Sequence, residues 1–558
     1  MCGIVGIVSR TIGRRERERI VRRMAASLVH RGPDGEGFVT AGPCSLGFRR
    51  LAIINPRAPA TPFANEDRTV RSVANAEIYN GLELRDELAA RGHVLATAVD
   101  TEVLPHLYEE AGCGLVRHLD GMFAVALWDA RRERLLLARD RAGEKPLFYW
   151  QVPGELVFAS ELRALLCHPR IAKVVDAVAL RRYLLHDFFP APHTPIAGVR
   201  KLPAGHLLVA ETGETTVRRY WDLAEHVADP ELARRRPRDL AEELDQAISR
   251  AVARRRRSDV PLGVFLSGGL DSTLLLAHLA EQIGPGVPVF TLGHADREFD
   301  ESRFVGATSR FFDAELHTLV LGETDLAEGL RRVGEGFDEP LGDASTLPCH
   351  LLARFARRHV KVILSGEGAD ELFAGYPTYL GHRLARLYRV VPESLRRPLL
   401  AAARRLPVGM GNVGPGYLLQ RFAAGAEQDL VERHHSWFGS LSPTLQQSVM
   451  APHVLDLWQD DDPLASAKSC LAHRAWPNEL EQVLYDDFTL YLQDDLLTKV
   501  DRATMLASLE ARAPYLDRRL MEFAAGLPAH HKLAGWTTKA LLRQGKPMIF
   551  LHHASASW

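Results

Sequence analysis

The chain has 558 residues, 46% hydrophobic and 25% charged, with 69 Lys and Arg against 70 Asp and Glu for a formal charge of −1. This is an ordinary globular composition, long enough for two or more domains with their own cores, and the balanced charge argues against a nucleic-acid-binding role. No run approaches the ~18 apolar residues of a membrane span.

The first six residues are Met1-Cys2-Gly3-Ile4-Val5-Gly6. Loss of Met1 would leave Cys2 with a thiol and a free α-amine on one carbon. An α-amine titrates near pH ~8, so part of it is a free base beside the sulfur. That is a nucleophile with its own proton acceptor, although a cysteine opening a buried strand is commonplace by itself. Helical patterns follow at 16–28, 81–90 and 101–111. Strands at 122–129 and 134–139, and again at 147–151 and 156–160, flank turn residues and predict two hairpins. Strands with helices grouped around them predict an α+β fold of two packed antiparallel sheets with helices outside. Pro and Gly cluster over 190–205, and a linker is placed at 206–230. The domains are therefore read as 2–205 and 231–558.

From about 239 the pattern alternates. Strands are predicted at 260–266, 287–292, 315–320 and 361–364 with helices between them, as in a parallel sheet covered on both faces. Past Tyr376 the chain reads almost wholly helical to Gln544. Ser267-Gly268-Gly269-Leu270-Asp271-Ser272 stands between the first of these strands and an apolar helix. A glycine-rich strand-to-helix turn offers backbone N–H groups and the positive helix end to an anion. The Gly-Lys-Ser/Thr ending of a Walker loop is absent. Arginine runs at 14–23, 234–238 and 254–257 read as solvated faces and linkers, because aromatic residues do not interleave with them. The six cysteines (Cys2, Cys44, Cys113, Cys167, Cys349, Cys470) include no Cys-x-x-Cys pair, so neither a disulfide framework nor a zinc cluster is suggested. With no basic-then-apolar signal at the N-terminus, a reducing cytoplasm is expected.

Ser-Gly-Gly-x-Asp-Ser resembles the pyrophosphate loop of ATP pyrophosphatases. With Cys2 at the head of the same chain, the sequence resembles the class B, glutamine-hydrolysing asparagine synthetases from Cys2 to about Arg543. The resemblance implies an αββα sandwich of the N-terminal nucleophile hydrolase type, an ATP pyrophosphatase domain, ATP and Mg²⁺ as cofactors, glutamine and aspartate as substrates, and a homodimer. Cys2 would be the nucleophile. Asn75-Ala76 would form the oxyanion hole, and Arg50, Glu77 and Asp100 would hold the α-carboxylate and α-ammonium of glutamine. His30-Arg31-Gly32-Pro33-Asp34 matches an architectural loop. Leu266, Ser267, Gly268, Gly269, Asp271, Ser272, Ser365 and Gly366 would bind ATP and its pyrophosphate, and Asp271 and Asp370 would hold Mg²⁺. Glu367 and Glu371 would face the acyl substrate or the attacking ammonia. Phe337-Asp338-Glu339-Pro340, Ser345-Thr346 and 494–517 match without assigned roles.

Four departures from the family pattern matter. Ala76 replaces a glycine, which predicts strain of about 1 kcal/mol if that residue needs positive φ. Thr61 and Val99 replace the usual glutamine and serine. The family's Arg-x-Lys-x-Gly-Phe segment is missing beyond Arg543, Lys546 is a poor substitute for its lysine, and a weakened synthetase step is expected. Alternative readings are an amidotransferase for another carboxylic acid, or a half-active relative.

Overall fold

The structure is a computed structural model describing residues 2–293, 302–403, 405–406 and 414–544. The strands are β1 (Cys2–Ser9), β2 (Gly35–Ala41), β3 (Cys44–Arg50), β4 (Phe63–Ala64), β5 (Val70–Ile78), β6 (Gly121–Asp129), β7 (Arg134–Arg139), β8 (Phe148–Val152), β9 (Glu155–Ala159), β10 (Val199–Lys201), β11 (His206–Glu211) and β12 (Glu214–Arg219) in the first domain. They form two six-stranded antiparallel sheets, ordered β10-β8-β9-β1-β3-β2 and β12-β11-β7-β6-β5-β4. β1 is apolar on both faces because it lies inside its sheet, between β3 and β9. One face meets the second sheet through Ile4, Phe48, Val73, Ala124 and Trp128. The other face packs Val5 and Ile7 on Ile20, Val21 and Met24 of the helix Arg14–Ala26. The second sheet covers its outer face with Gly81–Ala90 and Val103–Ala111 through Leu84, Leu88, Leu104 and Leu107. The four layers are helix, sheet, sheet and helix, as expected.

Two boundaries differ from the sequence reading. Residues 206–219, assigned to the linker, are β11 and β12, and β11 pairs with β7 from Leu207↔Ala138 to Glu211↔Arg134. The Pro/Gly cluster ahead of them marks turns within the domain rather than its end, and β12 is an exposed edge whose polar residues hide its strand character. The third predicted helix begins with a 3₁₀ turn, Asp100–Glu102.

The second domain holds a five-stranded parallel sheet of β13 (Leu262–Phe265), β14 (Pro288–Gly293), β15 (Glu315–Val320), β16 (Val362–Leu364) and β17 (Glu510–Arg512), ordered β15-β14-β13-β16-β17. Four of these strands were expected. β17 was not, because three residues inside a helical stretch carry no periodicity of their own. It forms by pairing parallel to β16. Helices Pro237–Arg255 and Leu270–Ile283 cover one face, and Thr346–Ala356 and Leu497–Met505 the other. The chain runs outward from β13 to β15 and then returns to β16 on the other side of β13. The carboxyl ends of β13 and β16 therefore flank a switch point, where open α/β sheets bind ligands.

Candidate active sites

Sheet register places the first site. Cys2 lies opposite Arg50 across β1 and β3, while β5 delivers Asn75, Ala76 and Glu77 from the facing sheet. The Cys2 amide donates to Asn75 Oδ1 at 2.9 Å. This fixes the Asn75 side chain and leaves its buried Nδ2 with no hydrogen-bond partner among the described residues. An unsatisfied buried donor beside a thiol is the arrangement an oxyanion would complete. Cys2, Arg50, Ala76, Glu77 and Asp100 line one pocket with Leu51, Thr61 and Val99. Burial pushes the Cys2 thiol up, so a neighbouring base is needed to ionise it. Burial also pushes Glu77 well above the ordinary carboxylate range, against the pull of Arg512. Asp100 is raised for the same first reason, although its Oδ2 accepts the Ile78 amide at 2.6 Å.

Two expectations change here. Ala76 sits within β5 opposite Phe123 and is not among the positive-φ residues, so the anticipated Cβ strain does not arise. Arg50 lines the pocket, but its Nη2 donates to Ile54 O at 3.1 Å and Asn55 O at 2.8 Å, and its Nη1 to Ala58 O. Its fork therefore holds the 54–58 loop, and gripping a carboxylate means competing with those carbonyls. Arg31 is fully buried. Its Nε donates to Cys2 O at 3.3 Å, and its Nη groups bond Glu161 within the first domain and Asp501 in the second.

The second site lies at the switch point. Ser267 follows β13, and Gly269 caps the helix Leu270–Ile283. The Ser267 amide donates to Ser272 Oγ at 3.1 Å, which folds the loop back over the helix start. Ser365 follows β16. Its amide donates to Arg512 O at 2.9 Å, and its buried hydroxyl has no partner. Gly366 lies against Asp271, where a Cβ would stand 3.3 Å from Asp271 Cβ. Asp271 and Asp370 converge, as expected, on an unexpected group: Lys539 Nζ lies 2.5 Å from Asp271 Oδ2 and 2.7 Å from Asp370 Oδ1. Gly375 is required at this point, because a Cβ there would fall 1.7 Å from Asp370 Oδ1. Burial raises Asp271 to about 6, with Lys539 opposing. Its Oδ1 is buried without a hydrogen-bond partner among the described residues. An oxygen-only donor pair with one unsatisfied carboxylate oxygen fits Mg²⁺.

Glu367 is raised by burial, opposed by Lys499. Lys499 Nζ donates to Asp343 Oδ2 and Ser345 Oγ, each at 2.9 Å. Glu371, which accepts from the Tyr376 hydroxyl, is raised to about 8 by burial, as is Asp495. Lys539, Lys499 and Asp343 had no role in the sequence reading. Lys539 stands in Thr537-Thr538-Lys539-Ala540-Leu541-Leu542-Arg543, a string already matched to the family and the available signal for it. Lys546 and the rest of 545–558 lie outside the described residues.

An apolar cluster runs from the first pocket to the strand that leads into the second site. Leu51 and Ile53, on the wall of the first pocket, pack with Tyr79, Met122, Val362 and Met505 in one buried cluster. Val362 belongs to β16, the strand that leads into Ser365. Among the described residues, no helix is long and apolar enough to cross a membrane.

Comparison with known proteins agrees with this division. A family described as glutamine amidotransferase domain matches residues 1–221, and one described as asparagine synthase matches 243–545. The chain is 31% identical to asparagine synthetase [glutamine-hydrolyzing] 1 of Bacillus subtilis, over 99% of this chain and 85% of that protein. It is 34% identical to a putative asparagine synthetase [glutamine-hydrolyzing] of Mycobacterium bovis, over 99% of this chain and 86% of the relative. A putative counterpart from Methanocaldococcus jannaschii is 29% identical over 91% of this chain and 98% of its own length.

Proposed function

Because the chain belongs to the asparagine synthase family and carries a glutamine amidotransferase domain at its head, we propose that it is a glutamine-dependent, AMP-forming asparagine synthetase. With Met1 removed, the α-amine of Cys2 takes the thiol proton and the sulfur attacks the amide carbon of glutamine. Asn75 Nδ2 donates to the oxyanion, Glu77 and Asp100 hold the α-ammonium, and Arg50 with the adjoining loop meets the α-carboxylate. Collapse of the tetrahedral adduct releases ammonia, and water then cleaves the thioester to glutamate.

In the second site, the 267–272 loop with Ser365 and Gly366 holds the phosphates of ATP. Asp271 and Asp370 would hold Mg²⁺, which when bound neutralises charge on the departing pyrophosphate. Lys539 keeps the two carboxylates from facing each other unscreened. The side-chain carboxylate of aspartate attacks the α-phosphorus and pyrophosphate leaves. Ammonia then displaces AMP from the acyl carbon to give asparagine, with Glu367 placed to take the proton that the nitrogen sheds. The observation that carries the coupling is the apolar seam from Leu51 and Ile53 to Val362 and Met505. A route opened along that seam would keep ammonia unprotonated and away from water. The family's homodimer belongs to the same reading and is checked by light scattering. So does a cytoplasmic setting, which suits six free cysteines.

Glutamine labelled with ¹⁵N at the amide, incubated with ATP, Mg²⁺, aspartate and excess unlabelled ammonium, should give labelled asparagine with one AMP per product. Label diluted to the bulk ratio would refute the passage. AMP formed only with another acid would reassign the acyl substrate, and no AMP with any acid would end the synthetase reading.

A further inference from the structure

We propose that Glu66, His93, His106 and Glu109, on the outer face of the first domain, form a binding site for a zinc-class divalent ion. Each residue offers one ligand atom, and the four atoms lie within 4.8 Å of one another. His106 Nδ1 is 3.2 Å from Glu66 Oε1, and His93 Nδ1 is 3.3 Å from the same oxygen and 3.8 Å from Glu109 Oε2. Around a tetrahedral ion with bonds of about 2.0–2.1 Å, neighbouring donors stand about 3.3–3.4 Å apart. The spacing already present is close to that of a filled site.

A second observation points to a ligand. His106 is 1% exposed, yet neither ring nitrogen has a hydrogen-bond partner among the described residues. Its approach to Glu66 is close but not aligned as a hydrogen bond, and a cation would use the idle lone pair. The surroundings match the outer shell of a metal centre. His93 Nε2 faces Glu110 Oε1 at 3.3 Å. Asn65 Nδ2 donates to Glu109 Oε1 at 2.8 Å, so that Oε2 faces His93, and the Val94 amide steadies Glu66 Oε1 at 2.8 Å. Two imidazoles with two carboxylates select Zn²⁺ over Mg²⁺ or Ca²⁺.

The fold gives the ion a structural task. His106 and Glu109 are one turn apart on Val103–Ala111, and Glu66 stands in the β4–β5 turn. His93 follows the helix Gly81–Ala90, so one ion would tie three segments together. The 3₁₀ turn just before Val103 carries Asp100 of the glutamine pocket.

The test uses the full-length chain, stripped with a chelator, loaded with Zn²⁺ alone and gel-filtered, with metal per chain read by mass spectrometry. The wild type and Cys2→Ala should each keep one equivalent, whereas His93→Gln and Glu109→Gln should lose it. Glu110→Gln should bind about tenfold or more weakly. Co²⁺ in place of Zn²⁺ should give the visible bands of a tetrahedral centre in wild type and not in His93→Gln. His93 and Glu109 are chosen because the buried His106 is the change most apt to disturb folding, and circular dichroism verifies each variant. No retained ion in the wild type would overturn the proposal and leave His93 held by its carboxylate neighbours alone. Equal retention by His93→Gln and Glu109→Gln would overturn it by placing the ion elsewhere. Metal count is independent of asparagine formation, so this result and the proposed activity fail separately.

Discussion

The two sites solve the same problem of burying charge in opposite ways. In the first pocket Asn75 is tied to the Cys2 amide and Asp100 to the Ile78 amide, the first placed by the register of β5 and the second by the 3₁₀ turn Asp100–Glu102. In the second site Asp271 and Asp370 sit in the first turns of helices, and the carboxylates are balanced by ammonium groups from distant segments, Lys539 on Asp271 and Asp370, and Lys499 on Asp343. On the proposed function, the first arrangement would receive a zwitterion that carries its own charges in and out, and the second would hold countercharge in place until a nucleotide and its cation supply their own. Arg512 belongs to both. Its carbonyl receives the Ser365 amide, while its guanidinium bonds Glu510 at 2.7 Å and lies 3.2 Å from Glu77 in the glutamine pocket.

The sharpest way to separate the two is Cys2→Ala. Removing a nucleophile costs about 10⁴–10⁶ in rate, so glutamine-dependent synthesis should vanish while ammonium-dependent AMP formation persists. Retained use of glutamine would sink the assignment of the thiol. Next is Arg512→Met, aimed at the bridge itself. Arg512 is fully buried, and stripping one partner from a buried ion pair costs about 3–5 kcal/mol. A marked fall in thermal midpoint is expected, with weaker glutamine binding because Glu77 is left unpaired. An unchanged midpoint would mean that the bridge carries no load.

A smaller effect distinguishes the sites by pH. Glu77 and Asp100 have carboxyls raised chiefly by burial. A carboxyl with a folded pKa above its unfolded value holds its proton more tightly when folded. Its contribution to stability is greatest below the unfolded pKa and declines as pH rises through the folded one. Binding an ammonium requires the ionised forms, so KM for glutamine should rise as pH falls through the raised pKa values. The rise is up to about tenfold per pH unit for one group, with kcat changing less. A KM that stays flat to below the ordinary carboxylate range would show that these acids do not meet the substrate.

The legibility of the two sites in the sequence follows the same contrast. Cys2, Asn75-Ala76-Glu77 and the 267–272 loop were readable because each is a contiguous string whose geometry is set within its own strand or turn. The sandwich was readable from hairpin signals for the same reason. Lys539 was not, because its role exists only once Asp271, Asp370 and Gly375 are folded around it, far away in the chain. β17 was hidden because three residues gain strand form only from β16. Arg50 was half legible: its place on the pocket wall follows from register, but its engagement with the 54–58 carbonyls depends on a loop with no periodic pattern.

The smallest predicted effect bears on Ala76, where family resemblance and geometry disagree. If the family's glycine were needed for a left-handed backbone, Ala76→Gly would relieve strain and speed glutamine hydrolysis. Here the residue is extended, buried and paired opposite Phe123 in the middle of β5. Glycine in a strand interior gives up packing and costs about 0.5–1 kcal/mol in backbone entropy. Ala76→Gly should therefore lower the thermal midpoint by a few degrees and leave kcat for glutamine hydrolysis within about twofold of wild type, since the Asn75 donor is fixed by the Cys2 amide and not by its neighbour's side chain. A large gain in rate would mean that the working pocket adopts a backbone different from the one described, and would move the oxyanion donor from the Asn75 side chain to the chain itself.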